Sequence, residues 1–196
     1  MKPTLSGKIL LNVGTLASAL CLSSLAGAVT VGGVALSEQV AAGIQPLFLN
    51  GAGVRSSFLF DVYTAALYTA APSSDAQAVV HSNQPRRIQL TLLRRIDSST
   101  LLEALDEGLK ANNTDSELAK LENALAQFRT IMKKAGPGLD GDTVELDFDA
   151  VGIAVSFKGQ PLGRVQHPGL PAALLRVWLG DNPAQPSLKQ ALLGRQ

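Results

Sequence analysis

Two periodicities divide this chain, and their order along it restricts the architecture. Leu118, Leu121, Leu125, Phe128 and Met132 recur at spacings of three and four, which sets an apolar stripe along one face of a helix. Val144-Glu145-Leu146-Asp147-Phe148 alternates every second residue, as do Ile153, Val155 and Phe157. That is the pattern of strands buried on one face only. Strand-like segments precede the helical block as well as follow it. The economical arrangement is one α+β domain, a large antiparallel sheet with a layer of helices packed on one side.

The individual elements are expected as follows. Val29 to Leu36 and Leu47 to Asn50 are short β-prone segments punctuated by Gly and Pro. Ser57 to Tyr68, rich in aromatic and β-branched residues, reads as one longer strand. Ile88, Leu90 and Leu92 mark another, led in by Pro85-Arg86-Arg87. Thr100 and Glu103 fit a capping box for a first helix carrying Leu101, Leu105 and Leu109. The second helix, with the stripe described above, ends with Lys133 and Lys134 in its last turn and Gly136-Pro137-Gly138 beyond. Lys158-Gly159-Gln160 predicts a hairpin turn into Leu162 to Val165. Leu170 to Leu179 forms a short helix stopped by Gly180, and Ser187 caps a last turn reaching Leu193.

The first 28 residues read differently from the rest. Lys2 and Lys8 precede an uncharged apolar stretch from Ile9 to Leu25, and Ala26-Gly27-Ala28 supplies the small residues of a cleavage site. This predicts an export signal over residues 1–28, cleaved after Ala28, and a periplasmic or secreted domain over residues 29–196 with no stable membrane span. The stretch is also long enough for an uncleaved anchor, and Cys21 would permit lipidation, although Ser18-Ala19-Leu20 is a poor lipobox. Cys21 is the only cysteine of the 196 residues. The body therefore has no disulfide or cysteine ligand and depends on its apolar core. Without the signal it carries fifteen basic and sixteen acidic residues, which gives no electrostatic case for nucleic acid.

Few motifs bear chemistry. Gly51-Ala52-Gly53 has Ser56 where a dinucleotide loop needs its third glycine, and a strand follows where a helix should. The glycines suit a tight turn or bulge that admits close backbone approach. His81 and His167 sit in loop-like sequence without partners at metal-ligand spacing, so no metal or cofactor is expected. Arg86-Arg87 and Arg94-Arg95 flank a strand, where charges mark solvent-facing ends. Arg55 is different, because it follows the glycines and leads into the apolar strand that carries Tyr63 and Tyr68. A guanidinium at the mouth of an apolar slot suits a carboxylate, which it can hold through two parallel charge-assisted bonds. A structural pairing with Asp61 is the alternative.

Asn50-Gly51-Ala52-Gly53-Val54-Arg55, followed by Phe58 to Tyr68, resembles the opening signature of the chalcone isomerase-like superfamily. Ala173 to Asp181, with Ser187-Leu188-Lys189 and Ala191-Leu192-Leu193, resembles its C-terminal helices. The resemblance spans nearly all of the mature chain and implies a ligand cleft between sheet and helices. The family's isomerases close a chalcone ring with an Arg after the Gly-x-Gly turn, a strand Thr, a Tyr-Lys-Asn set on a helix and a Thr in the C-terminal helix. Of these only the Arg carries over, as Arg55. The strand Thr falls on Tyr63, with Thr64 one residue out of register; the helix set falls around Leu101, Ala104 and Gly108, and the last Thr on Val177. Each missing oxyanion donor typically costs about 100- to 1,000-fold in rate. An Arg beside a Tyr instead resembles the family's plant fatty-acid-binding members. The resemblance thus implies non-catalytic binding of a small apolar carboxylate by Arg55 and Tyr63, with Tyr68, Thr64 and Val177 nearby. An isomerase on an unknown substrate and a structural, partner-binding module are the alternatives.

Overall fold

The computed structural model of the chain describes residues 27–43 and 45–195. The expected export signal, apart from its last two residues, lies outside the described residues. Seven strands form one antiparallel sheet in simple sequential order. They are β3 (Gln39–Ala42), β4 (Gln45–Ser57), β5 (Phe60–Thr69), β6 (Arg86–Leu92), β7 (Thr143–Phe148), β8 (Gly152–Phe157) and β9 (Gln160–Gln166). A separate hairpin precedes them, β1 (Ala28–Val31) and β2 (Val34–Ser37). The helices are α1 (Ala76–His81), α2 (Ser98–Asn112), α3 (Asp115–Lys120), α4 (Glu122–Lys133), α5 (Leu170–Leu179) and α6 (Pro186–Leu192). The α+β architecture expected from the sequence is the one found.

Strand alternation sorts the core into two bodies. From β5, Tyr63, Ala65 and Leu67 join the main core with Ile88, Leu90, Leu146, Phe128 and the buried residues of α5. Ala66 and Tyr68 point the other way and pack with Leu36 and Leu47. The β1–β2 hairpin thereby covers part of the sheet's second face. With α5 buried nearly all round, the helical layer and the sheet share one continuous apolar interior. Each fully buried Leu, Ile or Phe there is worth about 1.5–3 kcal/mol.

Several local expectations are corrected. Ser57 to Tyr68 is not one strand: β4 runs on to Ser57, Phe58 and Leu59 make a two-residue turn, and β5 begins at Phe60. Val29 to Leu36 is likewise folded into a hairpin at Gly32-Gly33. Of the two forms open to Gly51-Ala52-Gly53, a tight turn or a bulge with close backbone approach, the structure takes the second, within β4 and with the bulge between Leu49 and Gly51. Both glycines face α6 so closely that a Cβ on Gly51 would lie 2.1 Å from the Ala191 carbonyl oxygen. The first long helix starts at Ser98 after Asp97, so Thr100 and Glu103 lie inside it and form no capping box. The capping box is Thr114 with Glu117, opening α3. The striped helix is broken at Leu121 into α3 and α4. The last helix begins with Pro186 after Gln185, so Ser187 is not its cap. His81 closes α1 instead of lying in a loop.

Arg86 is the largest departure from expectation. It is buried, and its Nη1 donates to the carbonyls of Val79 (2.8 Å), Val80 (3.3 Å) and Ser82 at the end of α1. A cation there satisfies orphan carbonyls at the negative end of the helix. Burial lowers its pKa from 12.5 to about 10, so it remains charged at neutral pH. Arg87 holds Asp147 with two bonds of 2.6 and 2.8 Å on the opposite side of the strand.

Candidate functional site

A cavity of about 370 Å³ lies between the sheet and α2 and α5. Its volume sits within the roughly 300–1,000 Å³ usual for small-molecule sites. Small side chains on one face of α2 leave this space: Ala104, Gly108 and Ala111 recur every three or four residues along the wall, beside Leu101 and Leu105. Val177 and Trp178 of α5 supply the facing wall, with Val62, Ile96 and Ala184 completing the apolar lining. At Gly108 the two helices approach so closely that a Cβ would lie 2.7 Å from Val177.

Arg55 and Tyr63 enter this cavity together because they are directly opposed in the β4–β5 ladder. Opposed residues on neighbouring strands point to the same face. The Arg55 guanidinium has no carboxylate within 4 Å among the described residues; its Nη1 donates to the Ser56 carbonyl and, at 3.4 Å, to Gln185 Oε1. Gln185, just ahead of α6, also accepts from the Ser56 amide at 3.0 Å and so ties this part of β4 to the helical layer. Asp61, the alternative partner, accepts instead from the Ser56 hydroxyl at 2.6 Å. Tyr63 is buried, and its hydroxyl oxygen accepts from Trp178 Nε1 at 3.2 Å. Burial pushes the phenol above its ordinary pKa, against smaller opposing effects of the Trp178 N–H and the Arg55 charge. The hydroxyl is therefore a neutral donor, with its proton free for another partner. Ser57, Thr100 and Glu107 are exposed residues of the lining.

Of the five residues singled out in the sequence, Arg55, Tyr63 and Val177 line the cavity, as do Leu101, Ala104 and Gly108. Thr64 and Tyr68 lie on the sheet's other face. Thr64 donates to the Val31 carbonyl at 3.2 Å, and Tyr68 packs under the β1–β2 hairpin. Trp178 and Gln185 were missed. Trp178, the only tryptophan, carried a signal in its buried N–H, which needs an acceptor; nothing in the sequence pointed from Gln185 to a residue 130 positions earlier. Among the described residues, no three His, Cys, Asp or Glu gather as a metal site and no helix is long and apolar enough to cross a membrane.

A sequential antiparallel sheet with a helical layer on one face and a cavity between them defines the molecule as an α+β open-faced sandwich. The sequence profile of the chalcone isomerase-like family matches residues 28–194, and the chain belongs to that family. No curated protein matches it by sequence. Among solved structures it is similar to a fatty-acid binding protein of Arabidopsis thaliana. The TM-score is 0.68 at 18% identity, over 85% of this chain and 96% of that one. At such identity the likeness is one of fold.

Proposed function

We propose that this protein binds a fatty acid or similar apolar carboxylate, without chemical turnover, in the cavity between the sheet and α2 and α5. The observation that carries the reading is the state of Arg55: a guanidinium that lines an apolar cavity with no carboxylate partner among the described residues. Its fork matches a carboxylate, and Tyr63 adds a neutral donor at the same end. The acyl chain would lie along Leu101, Ala104, Leu105 and Val177. Those side chains offer nothing to a developing oxyanion, which favours holding a ligand over converting it. The fatty-acid binding of the Arabidopsis relative lends the reading further support.

Calorimetric titration of delipidated protein with a medium-chain fatty acid tests it. Charge-assisted bonds are worth about 1.5–3 kcal/mol, so Arg55→Ala should weaken binding by roughly ten- to a hundredfold. Arg55 is only partly buried and carries no ion pair among the described residues, so the melting temperature should change little. Equal affinity in the two proteins would overturn the assignment. So would lipid extracts of native protein that repeatedly contain no amphiphile.

A further inference from the structure

The turn between β4 and β5 is built from residues a turn does not need. Ser57 pairs with Phe60, leaving Phe58-Leu59 as a two-residue loop. Such loops favour glycine or asparagine, because one or both central residues take positive φ. The β8–β9 hairpin obeys this rule only in part, with Lys158-Gly159 at φ 53° and 72°. Phe58 instead holds φ 55° with a full aromatic side chain, an uncommon conformation for a bulky residue. Phe58 gains no burial among the described residues in return. Phe58 and Leu59 are fully exposed and Phe60 is 60% exposed.

The tip also borders the cavity. Ser57, just before it, and Val62, two residues after Phe60, both line the cavity wall. Across the neighbouring strand end, Arg94 stacks over the Phe60 ring at 4.9 Å and has no carboxylate partner among the described residues. Arg95 and Asp97 form a loose pair beside it at 3.8 Å. An aromatic and aliphatic wedge collared by a free guanidinium has the layout of an interfacial anchor. The rings enter the acyl region while the cation stays at the level of the phosphates.

We propose that the Phe58–Phe60 tip docks this protein onto a phospholipid bilayer, with Arg94 against lipid phosphates, so that the cavity mouth faces the membrane. The geometry of a protruding three-residue wedge fits a fluid lipid surface better than the flat complement that a protein partner or a second copy would offer. The purpose of docking, exchange of ligand with the bilayer, rests on the proposed fatty-acid site; the docking itself does not.

The test uses the full chain carrying Phe58→Trp as a reporter, read as the difference from the parent chain, in which Trp178 of the cavity wall is the single tryptophan. On addition of phosphatidylethanolamine and phosphatidylglycerol vesicles, the new indole emission should shift to the blue. Lipids brominated in the acyl chain should quench it. Emission indifferent to vesicles would overturn the proposal. A shift that instead follows protein concentration without lipid would also overturn it, in favour of a second copy. In a parallel arm, Phe58→Ser with Leu59→Ser should slow uptake of fatty acid from vesicles by about tenfold or more, leaving affinity for the dissolved fatty acid unchanged. If the reporter responds while Arg55→Ala binds fatty acid normally, docking stands and the cavity assignment fails.

Discussion

Tyr63 has one observed partner at its oxygen and one proton uncommitted. It accepts the indole N–H of Trp178 and is left to donate its own proton into the cavity beside Arg55. Tyr63→Phe keeps the ring and its packing but strands a buried N–H, a loss of about 1–3 kcal/mol in unfolding free energy. Urea denaturation should register that loss, and calorimetry should register weaker fatty-acid binding in the same variant. An unchanged unfolding midpoint would mean the Trp178 bond contributes nothing. The pairing of Arg55 with Tyr63 was legible because a motif located one and a register the other. Thr64 and Tyr68 were grouped with them wrongly, and strand alternation explains why: one and five residues from Tyr63 are odd steps, so both side chains face away from it. Arg86 was misjudged for another reason. A strand-end arginine is ordinarily solvated, and only the fold brings the end of α1 over it.

The elements with strong periodicity were easiest to read. The α4 stripe and the alternation of β7 and β8 appear as their residues suggest. The break at Leu121 was hidden because that residue continues the apolar stripe while its backbone, at φ −98° and ψ 0°, ends one helix and begins the next. The β4–β5 turn was hidden because Phe58 and Leu59 prolong an apolar run where a turn residue would normally interrupt it. The capping box of α3 has a measurable consequence. The Thr114 backbone N–H, then Arg176 and the Thr114 hydroxyl, hold the Glu117 carboxyl from the ordinary 4.5 down to about 2. Between those values the unfolded chain binds a proton that the folded chain does not, so this stabilisation is complete above pH 4.5 and fades as pH falls toward 2. Glu117→Gln should therefore melt below the parent at neutral pH, with the gap closing across that acid window. Calorimetric melts of both proteins at several pH values check it, and a gap independent of pH would refute the linkage. Asp142 and Asp149, also lowered, act in both proteins and cancel in the comparison.

Across the molecule, the cavity depends on a sheet whose two faces are closed by different parts of the chain. Helices from the middle and C-terminal parts cover one face, while residues 28–37 fold back over the other. This bears on the proposed export signal. Cleavage after Ala28 would remove the first pair of the β1–β2 ladder, Ala28 with Ser37, and the Gly27 carbonyl that accepts from the Glu38 N–H at 3.0 Å, and would leave Leu36 seated against Leu47 and Tyr68. If the proposed signal is cleaved there, the protein should begin at Val29, which its intact mass would reveal, and should unfold at a denaturant midpoint only slightly below that of a chain begun at Gly27, by the worth of one exposed backbone bond. A chain begun at Glu38 is a different case. It loses Leu36 and uncovers Tyr68, whose hydroxyl has no partner among the described residues. Two buried apolar side chains at the lower end of their usual worth set the expected deficit at about 3 kcal/mol or more. If the shorter chain proved equally stable, the hairpin would be an ornament on the sheet and the boundary at Ala28 would carry no structural meaning.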